Sequence, residues 1–263
     1  GTIRIDADYG FAYPALDLAV ETIVPIARSQ GVVSASIFRS HHCGALSVQV
    51  SRLAERGLVA IMVANAPASM APWGGKQPIF GTNPIAFAAP RKNGAPLVID
   101  LSLSRVARGK VMNARKTGEQ IPGDWALDAN GNPTTDPEAA LAGTMLPIGE
   151  AKGTALALMV EIMASVMTGA NFSTDAGSFF TADGSKPGTG QFLMAFEPND
   201  RTDFIERIEQ LLEMIETMDG ARLPGSRRAE AIEKSKKHGI AVPKIYLDAT
   251  RAIAASNPMV RSE

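Results

Sequence analysis

The chain has 263 residues, 45% hydrophobic and 20% charged, with a net charge of −1. That balance fits an ordinary soluble globular protein and excludes a strongly basic nucleic-acid binder or a binder of anionic membranes. The single cysteine, Cys43, excludes an internal disulfide and fits a reducing cytoplasm.

The chain opens on Gly1 and a strand-like run, Thr2-Ile3-Arg4-Ile5, so further residues are expected upstream. No signal peptide is visible. Residues 14–30 read as a helix with Leu16, Val20, Ile23, Val24 and Ala27 on one face and Pro25 as an expected kink. Residues 32–38 read as a strand. A helix over about 44–56 comes next, with Leu46, Val50, Leu53 and Ala54 at helical spacing and Gly57 as its stop. Residues 58–63 are continuously apolar, as in a strand covered on both faces. Strand, helix and strand in that order predict a βαβ unit with a parallel pair, helices lying on both sides of the sheet.

Residues 65–84 form a long loop rich in proline and glycine, a length that points to function. Residues 85–89 and 97–101 read as strands, with Asn93-Gly94 as a hairpin signal between them. A basic helix is predicted over about 103–116, and 118–136 is irregular. Residues 153–169 predict a helix apolar almost all round, hence central and buried. Its apolar tract, near 155–166, is broken by Glu161 and is too short to span a bilayer. After an irregular stretch, 171–190, come a strand at 191–196 and helices at 203–218, 227–237 and 245–255. The core is expected at about 30–200 and a helical C-terminal part at 201–263, within one catalytic and cofactor-binding unit.

His41 and His42 stand where the 32–38 strand runs into a helix, in Ser40-His41-His42-Cys43-Gly44. Such strand ends open into ligand crevices, and imidazole exchanges protons near neutrality. The same stretch also reads as a surface loop holding two imidazoles. No G-x-G-x-x-G opens a helix after a strand, no Walker spacing surrounds Gly184, Gly188 and Gly190, and no G-x-S-x-G elbow exists. Asp128-Ala129-Asn130-Gly131-Asn132 has Pro133 where a calcium loop needs glycine, and reads as a polar turn. No zinc spacing is present, and no metal is expected.

Ser226 can cap the helix that carries Arg227 and Arg228 in its first turn. Two arginines there oppose the helix dipole, which suits a phosphate grip as well as a solvated basic helix. Lys152 can hold a phosphate or carboxylate, or pair with Glu150. Asp100, ending a strand, can accept ribose hydroxyls or cap the next helix, and Ser102 and Ser104 lie just beyond it. Thr82-Asn83-Pro84 offers a hydroxyl and an amide to a small polar ligand, or serves the turn.

Several stretches together resemble the malate/L-lactate dehydrogenase family of the non-Rossmann type. They are residues 40–44, Ala71-Pro72-Trp73-Gly74-Gly75, Phe80-Gly81-Thr82-Asn83-Pro84-Ile85-Ala86-Phe87, Ile99-Asp100-Leu101-Ser102, Ala107-Arg108-Gly109-Lys110, Trp125-Ala126-Leu127-Asp128, Pro133-Thr134-Thr135-Asp136-Pro137 and Pro224-Gly225. The resemblance implies an α/β fold with a mixed sheet flanked by helices, and a homodimer. It implies NAD or NADP as cofactor, and hydride transfer at C2 of a small 2-keto or 2-hydroxy acid. A cyclic imino acid of the pyrroline- or piperideine-2-carboxylate type is the alternative substrate; a non-catalytic protein that keeps the fold is the rival from another class.

Carried over by position, the cofactor would meet His42, Cys43, Gly44, Ala45 and Leu46, then Asp100, Leu101 and Ser102, then Ala151 and Lys152. It would also meet residues 223–229, with Pro224, Gly225, Ser226, Arg227 and Arg228 among them. Thr82 would face the substrate. His42 would be a pocket wall and hydrogen-bond donor. The family's proton-donating histidine and a substrate arginine belong to an N-terminal helical segment upstream of residue 1. Ala151-Lys152 stands where many relatives have His-Lys. Lys110 stands where the imine reductases carry a relay aspartate, while His41-His42 and Gly188-Thr189-Gly190-Gln191 look more like that imine-reductase branch.

Overall fold

The computed structural model describes residues 1–181 and 184–256. It divides into two compact units, Gly1–Pro224 and Gly225–Glu263. The first unit runs β1 (Thr2–Asp6), α1 (Ala12–Gln30), β2 (Val32–Ser40), α2 (Leu46–Ala54), β3 (Val59–Ala64), β4 (Ile85–Ala89), β5 (Leu97–Leu101) and α3 (Arg108–Thr117). It continues with β6 (Ala126–Leu127), α4 (Pro137–Ala142), β7 (Thr144–Met145), α5 (Ala151–Glu161), a π-helical turn (Ile162–Val166), β8 (Thr189–Phe196) and α6 (Arg201–Glu216). The second unit holds α7 (Ser226–His238) and α8 (Lys244–Ser256).

Six strands form one mixed sheet in the order β1-β2-β8-β3-β4-β5, and β6 and β7 form a separate pair. β1 and β2 are parallel. β2 and β3 do not pair, contrary to the βαβ expectation. β8 lies between them, antiparallel to both, with Leu193 opposite Ala35 on one side and Met62 on the other. α2 therefore still connects two strands of the same direction. The late strand takes the centre because Phe192, Leu193 and Ala195 are buried on its two faces, whereas β1, whose burial is patchy, sits at an edge. β4 and β5 form the expected antiparallel hairpin.

Side chains alternate across the pleat, so each strand feeds both faces. One face buries Ala35, Ile37, Ala60, Met62 and Leu193 against Leu16, Val20 and Ile23 of α1 and Val50 and Leu53 of α2. Each fully buried aliphatic side chain there contributes about 1.5–3 kcal/mol. Pro25 lies inside α1, which continues to Gln30. The opposite face places Val63 and Phe192 against Met70, Phe80, Leu103, Val160 and Ala164.

α5 departs from the all-round burial expected of it. Gly153, Ala157, Val160 and Glu161 are buried, but Leu158 and Met159 are 50% and 42% exposed, and Ile162, Val166 and Met167 are also open. Only one side of the helix meets the sheet, so its other apolar side is left uncovered by the described residues. β8 passes so close to the turn after α5 that a Cβ at Gly190 would lie 1.8 Å from the Ala164 carbonyl oxygen. The helix expected from residue 103 begins at Arg108, because the Ser104 hydroxyl donates to the Val106 carbonyl and holds the preceding residues in a turn.

Candidate functional site

The histidines owe their placement to a bulge at the end of β2. Pairing slips between Ile37 and Ser40, where two residues of β2 face one of β8, and Arg39 takes φ +49°. A bulge bends a strand and re-aims the residues beyond it. The Arg39 guanidinium holds this shape through a two-point pair with Asp6, with Nε to Oδ1 at 2.8 Å. The His41 ring then lies between Phe11 and Phe179, at 5.0 and 5.2 Å between ring centroids, and His42 meets Phe179 edge-on.

Both rings have their Nδ1 occupied. His41 Nδ1 accepts the His42 backbone N–H at 2.7 Å, and His42 Nδ1 accepts the Gly44 N–H at 3.1 Å. A neutral ring in either place therefore carries its proton on Nε2 and presents a donor there. Burial, and secondarily the neighbouring His42, holds the His41 pKa below its usual value. His41 is thus a neutral donor at pH 7. Buried Gln191 supports the segment by donating to the His41 carbonyl at 3.3 Å.

The chain then turns into α2. Ala45 occupies the N-cap position with extended backbone and Leu46 is buried. Cys43 is buried as well, and burial pushes its thiol up to about 12, so it is no nucleophile. The start of α2 is capped from across the sheet: Asp100 Oδ2 accepts the Ser47 N–H at 3.0 Å. The Asp100 carboxylate thus caps α2, not the next helix in the chain, and Leu101 beyond it is 40% exposed. The segments 42–46 and 100–102 are thereby joined.

Thr82 is half-buried, and its neighbour does structural work. Asn83 is fully buried at φ +38°, and its amide donates to Glu161 Oε2 at 2.8 Å and to the Ala157 carbonyl at 3.1 Å. The buried Asn83 side chain thus serves the turn and its packing, the structural one of its two expected roles, while Thr82 is the more open member of the pair. Glu161, the only charged side chain buried among the described residues, also accepts the Ser173 N–H and hydroxyl, each at 2.7 Å. Among the described residues, three donors and no cation satisfy this carboxylate.

The Thr82 carbonyl accepts the Leu103 N–H at 2.8 Å, and the Leu103 carbonyl accepts the Ile148 N–H at 2.8 Å. Three backbone segments, leading to Thr82, Ser102 and Lys152, therefore run side by side. Ala151 and Lys152 form the exposed first turn of α5. Lys152 does not pair with Glu150, which instead lies 3.7 Å from Arg105. Lys110 is exposed on α3.

The basic turn belongs to the second unit. α7 begins at Ser226 itself, and Gly225 fills the cap position at φ +81° with no side-chain cap bond. The cap expected of Ser226 is thus absent, because the cap position takes a left-handed conformation that glycine enters without steric cost. Arg227 and Arg228 lie in the first turn and are exposed. The Asp128 loop is a polar turn, its Oδ1 accepting the Asn130 and Asn132 N–H groups at 2.9 Å. Sequence reasoning missed Glu161, Ser173 and Gln191. A single acidic residue inside an otherwise apolar helix was the available signal for the first of these.

The family model for malate/L-lactate dehydrogenase matches residues 1–250. A (2R)-3-sulfolactate dehydrogenase (NADP(+)) of Chromohalobacter salexigens is 51% identical over 97% of this chain and 76% of its own length. A Delta(1)-pyrroline-2-carboxylate/Delta(1)-piperideine-2-carboxylate reductase of Pseudomonas putida is 40% identical over 96% of this chain and 75% of its own. Among solved structures, the delta1-piperideine-2-carboxylate reductase of Pseudomonas syringae pvar. tomato superposes with a TM-score of 0.86 at 40% identity, covering 93% of this chain and 74% of its own. The sulfolactate dehydrogenase of Methanocaldococcus jannaschii gives 0.85 at 28% identity, over 95% and 74%. The chain belongs to the malate/L-lactate dehydrogenase family.

Proposed function

We propose that the chain is an NADP(H)-dependent oxidoreductase that transfers hydride between the nicotinamide and C2 of a small 2-hydroxy or 2-oxo acid. The observation that carries this is the side-by-side run of the Thr82, Ser102 and Lys152 segments, joined by Leu103 donating to Thr82 and Ile148 donating to Leu103, both at 2.8 Å. The 51% identity to a sulfolactate dehydrogenase of the same family supports it.

The donor set fits a dinucleotide: a lysine without an ion pair among the described residues, a serine hydroxyl, and an imidazole Nε2–H at the neighbouring strand end. The bound coenzyme supplies the hydride chemistry, and the protein supplies binding, orientation and charge. Lys152 would neutralise phosphate charge at the start of α5. Ser102 and His42 would donate hydrogen bonds to the coenzyme. Asp100 fixes the start of α2, and with it Cys43, Gly44, Ala45 and Leu46 as pocket wall. Thr82 would orient the substrate. His41 serves as a neutral donor. Arg227 and Arg228, in the second unit, have the chemistry to hold coenzyme phosphates.

The uncovered apolar side of α5 supports a homodimer in which a second copy buries Leu158, Ile162 and Val166. No helix of the described residues is long and apolar enough to cross a membrane. With a single buried cysteine, the composition supports a cytoplasmic enzyme.

A second reading, reduction of cyclic imino acids, is favoured by the 40% identity to the Pseudomonas reductases. Lys110 stands against it, because the resemblance implies an aspartate at that position in the imine-reductase branch. The test is NADPH consumption with 3-sulfopyruvate, oxaloacetate, pyruvate, pyrroline-2-carboxylate and piperideine-2-carboxylate. Turnover of a 2-oxo acid is expected. Turnover of the imines alone moves the assignment to the second reading. No turnover together with no coenzyme binding overturns both.

A further inference from the structure

Six arginines are partly buried among the described residues: Arg39, Arg52, Arg56, Arg91, Arg105 and Arg108. Five of them face a carboxylate. Arg39 pairs with Asp6, Arg52 with Asp17 at 2.6 Å, Arg56 with Glu21 at 2.5 Å, Arg91 with Glu209 at 2.9 Å and Arg105 with Asp124 at 3.2 Å. Arg108 faces none of the described carboxylates. Its one hydrogen bond runs from Nη1 to the Ala68 carbonyl at 3.5 Å, too long to compensate a charge withdrawn from water.

The location is informative. Arg108 is the first residue of α3, where a cation also opposes the helix dipole. Ala68, which it touches, belongs to the 65–84 loop. Ala68 donates to the Ser173 carbonyl at 2.8 Å, and Ser69 and Met70 donate to the Phe80 carbonyl two residues before Thr82. Ser173 in turn donates to Glu161, which holds Asn83. Arg108 and Thr82 are therefore carried by one hydrogen-bonded framework.

We propose that Arg108 is a specificity-determining residue that receives a second, distal anionic group of the substrate, a sulfonate or a carboxylate on the carbon beyond C2. This rests on the 2-hydroxy/2-oxo acid reading given above. A planar guanidinium offers two parallel donors to either group. Desolvation holds its pKa below the ordinary arginine value, as expected of a cation whose counter-charge comes with the ligand.

The test compares wild type with Arg108→Gln and Arg108→Lys, using sulfopyruvate and oxaloacetate as dianions and pyruvate as monoanion. Arg108→Gln is expected to lower kcat/KM for the dianions about 10- to 100-fold, the loss of a charge-assisted pair, and to leave pyruvate within a few-fold. Arg108→Lys should fall between the two. Sulfopyruvate and oxaloacetate separate sulfonate from carboxylate preference. Equal losses for dianions and pyruvate, or a raised coenzyme KM alone, overturn the proposal.

Calorimetric binding of the unreactive dianion sulfoacetate needs no turnover. Binding by wild type that disappears in Arg108→Gln supports the proposal even if the assay finds no reaction, which separates it from failure of the functional reading. Binding unchanged in the variant, or absent from wild type, overturns it. Thermal unfolding gives the last readout: the Tm of Arg108→Gln should equal or exceed that of wild type, whereas a structural arginine would lower it.

Discussion

On the face covered by α1 and α2, the sheet buries Ala35, Ile37, Ala60, Met62 and Leu193 mainly against aliphatic side chains, with Ser47 and Gln49 of α2 the polar exceptions on those helices. On the face covered by α5 and the long loop, the buried set includes Ser69, Asn83, Thr144, Glu161 and Ser173. The first layer is held by area, which is tolerant of shape and indifferent to direction. The second is held by hydrogen bonds whose geometry is specific, and it is the layer that carries Thr82. A polar interior of this kind contributes position more than stability, since each bond is worth little net but leaving one unmade is costly.

The largest expected effect attacks that second layer. Glu161→Leu leaves the Ser173 N–H, the Ser173 hydroxyl and the Asn83 amide without their acceptor, and should cost about 3–5 kcal/mol in denaturant unfolding. Glu161→Gln keeps one acceptor oxygen and should fold. It should still raise the substrate KM while leaving the coenzyme KM unchanged, because Asn83 no longer fixes Thr82.

Leu16→Ala attacks the first layer at a fully buried site. It should cost about 2–5 kcal/mol with both KM values intact. A similar shift of substrate KM in both variants would erase the distinction between the layers.

Thr82→Val removes a hydroxyl and keeps the shape. It should weaken substrate binding by about 1–2 kcal/mol, read in kcat/KM, with unfolding nearly unchanged. Thr82→Ser should retain most of the activity.

The smallest effect near neutrality belongs to Cys43, whose contribution to stability changes only at alkaline pH. Cys43 is raised from its usual 9.0 to about 12 in the folded chain, so the unfolded state releases its proton first. The thiol's contribution is complete below pH 9 and is lost as pH rises toward 12, at up to about 1.4 kcal/mol per pH unit. Cys43→Ala should flatten the stability curve in that window. Native protein at pH 8 should resist thiol alkylation.

Much of the first layer could be read from periodicity. Leu16, Val20, Ile23 and Leu53 repeat at helical spacing, and the strands at 85–89 and 97–101 are flanked by ordinary turn signals. The second layer resisted because its logic is not periodic. Glu161 looks like an interruption in an apolar helix until Ser173 and Asn83, remote in sequence, are seen to face it. The place of β8 was equally hidden, since a strand that arrives last in the sheet can take the centre only if both neighbours leave room, and no local pattern records that. The local sequence around Asp100 offers a ribose acceptor or a cap for the next helix, yet its partner Ser47 lies on α2, remote in sequence. The breadth of the apolar pattern in α5 hid the fact that the described residues cover only one side of it.

The central claim, that hydride passes between a nicotinamide and C2 of an acid held by this polar layer, is tested most directly by isotope transfer. NADPH deuterated at the transferring C4 position is turned over with 3-sulfopyruvate, and the product is analysed by mass spectrometry and NMR. The account predicts deuterium bonded to C2 of the 2-hydroxy acid. A product without the label, or coenzyme left unconsumed by protein that binds it, would contradict it.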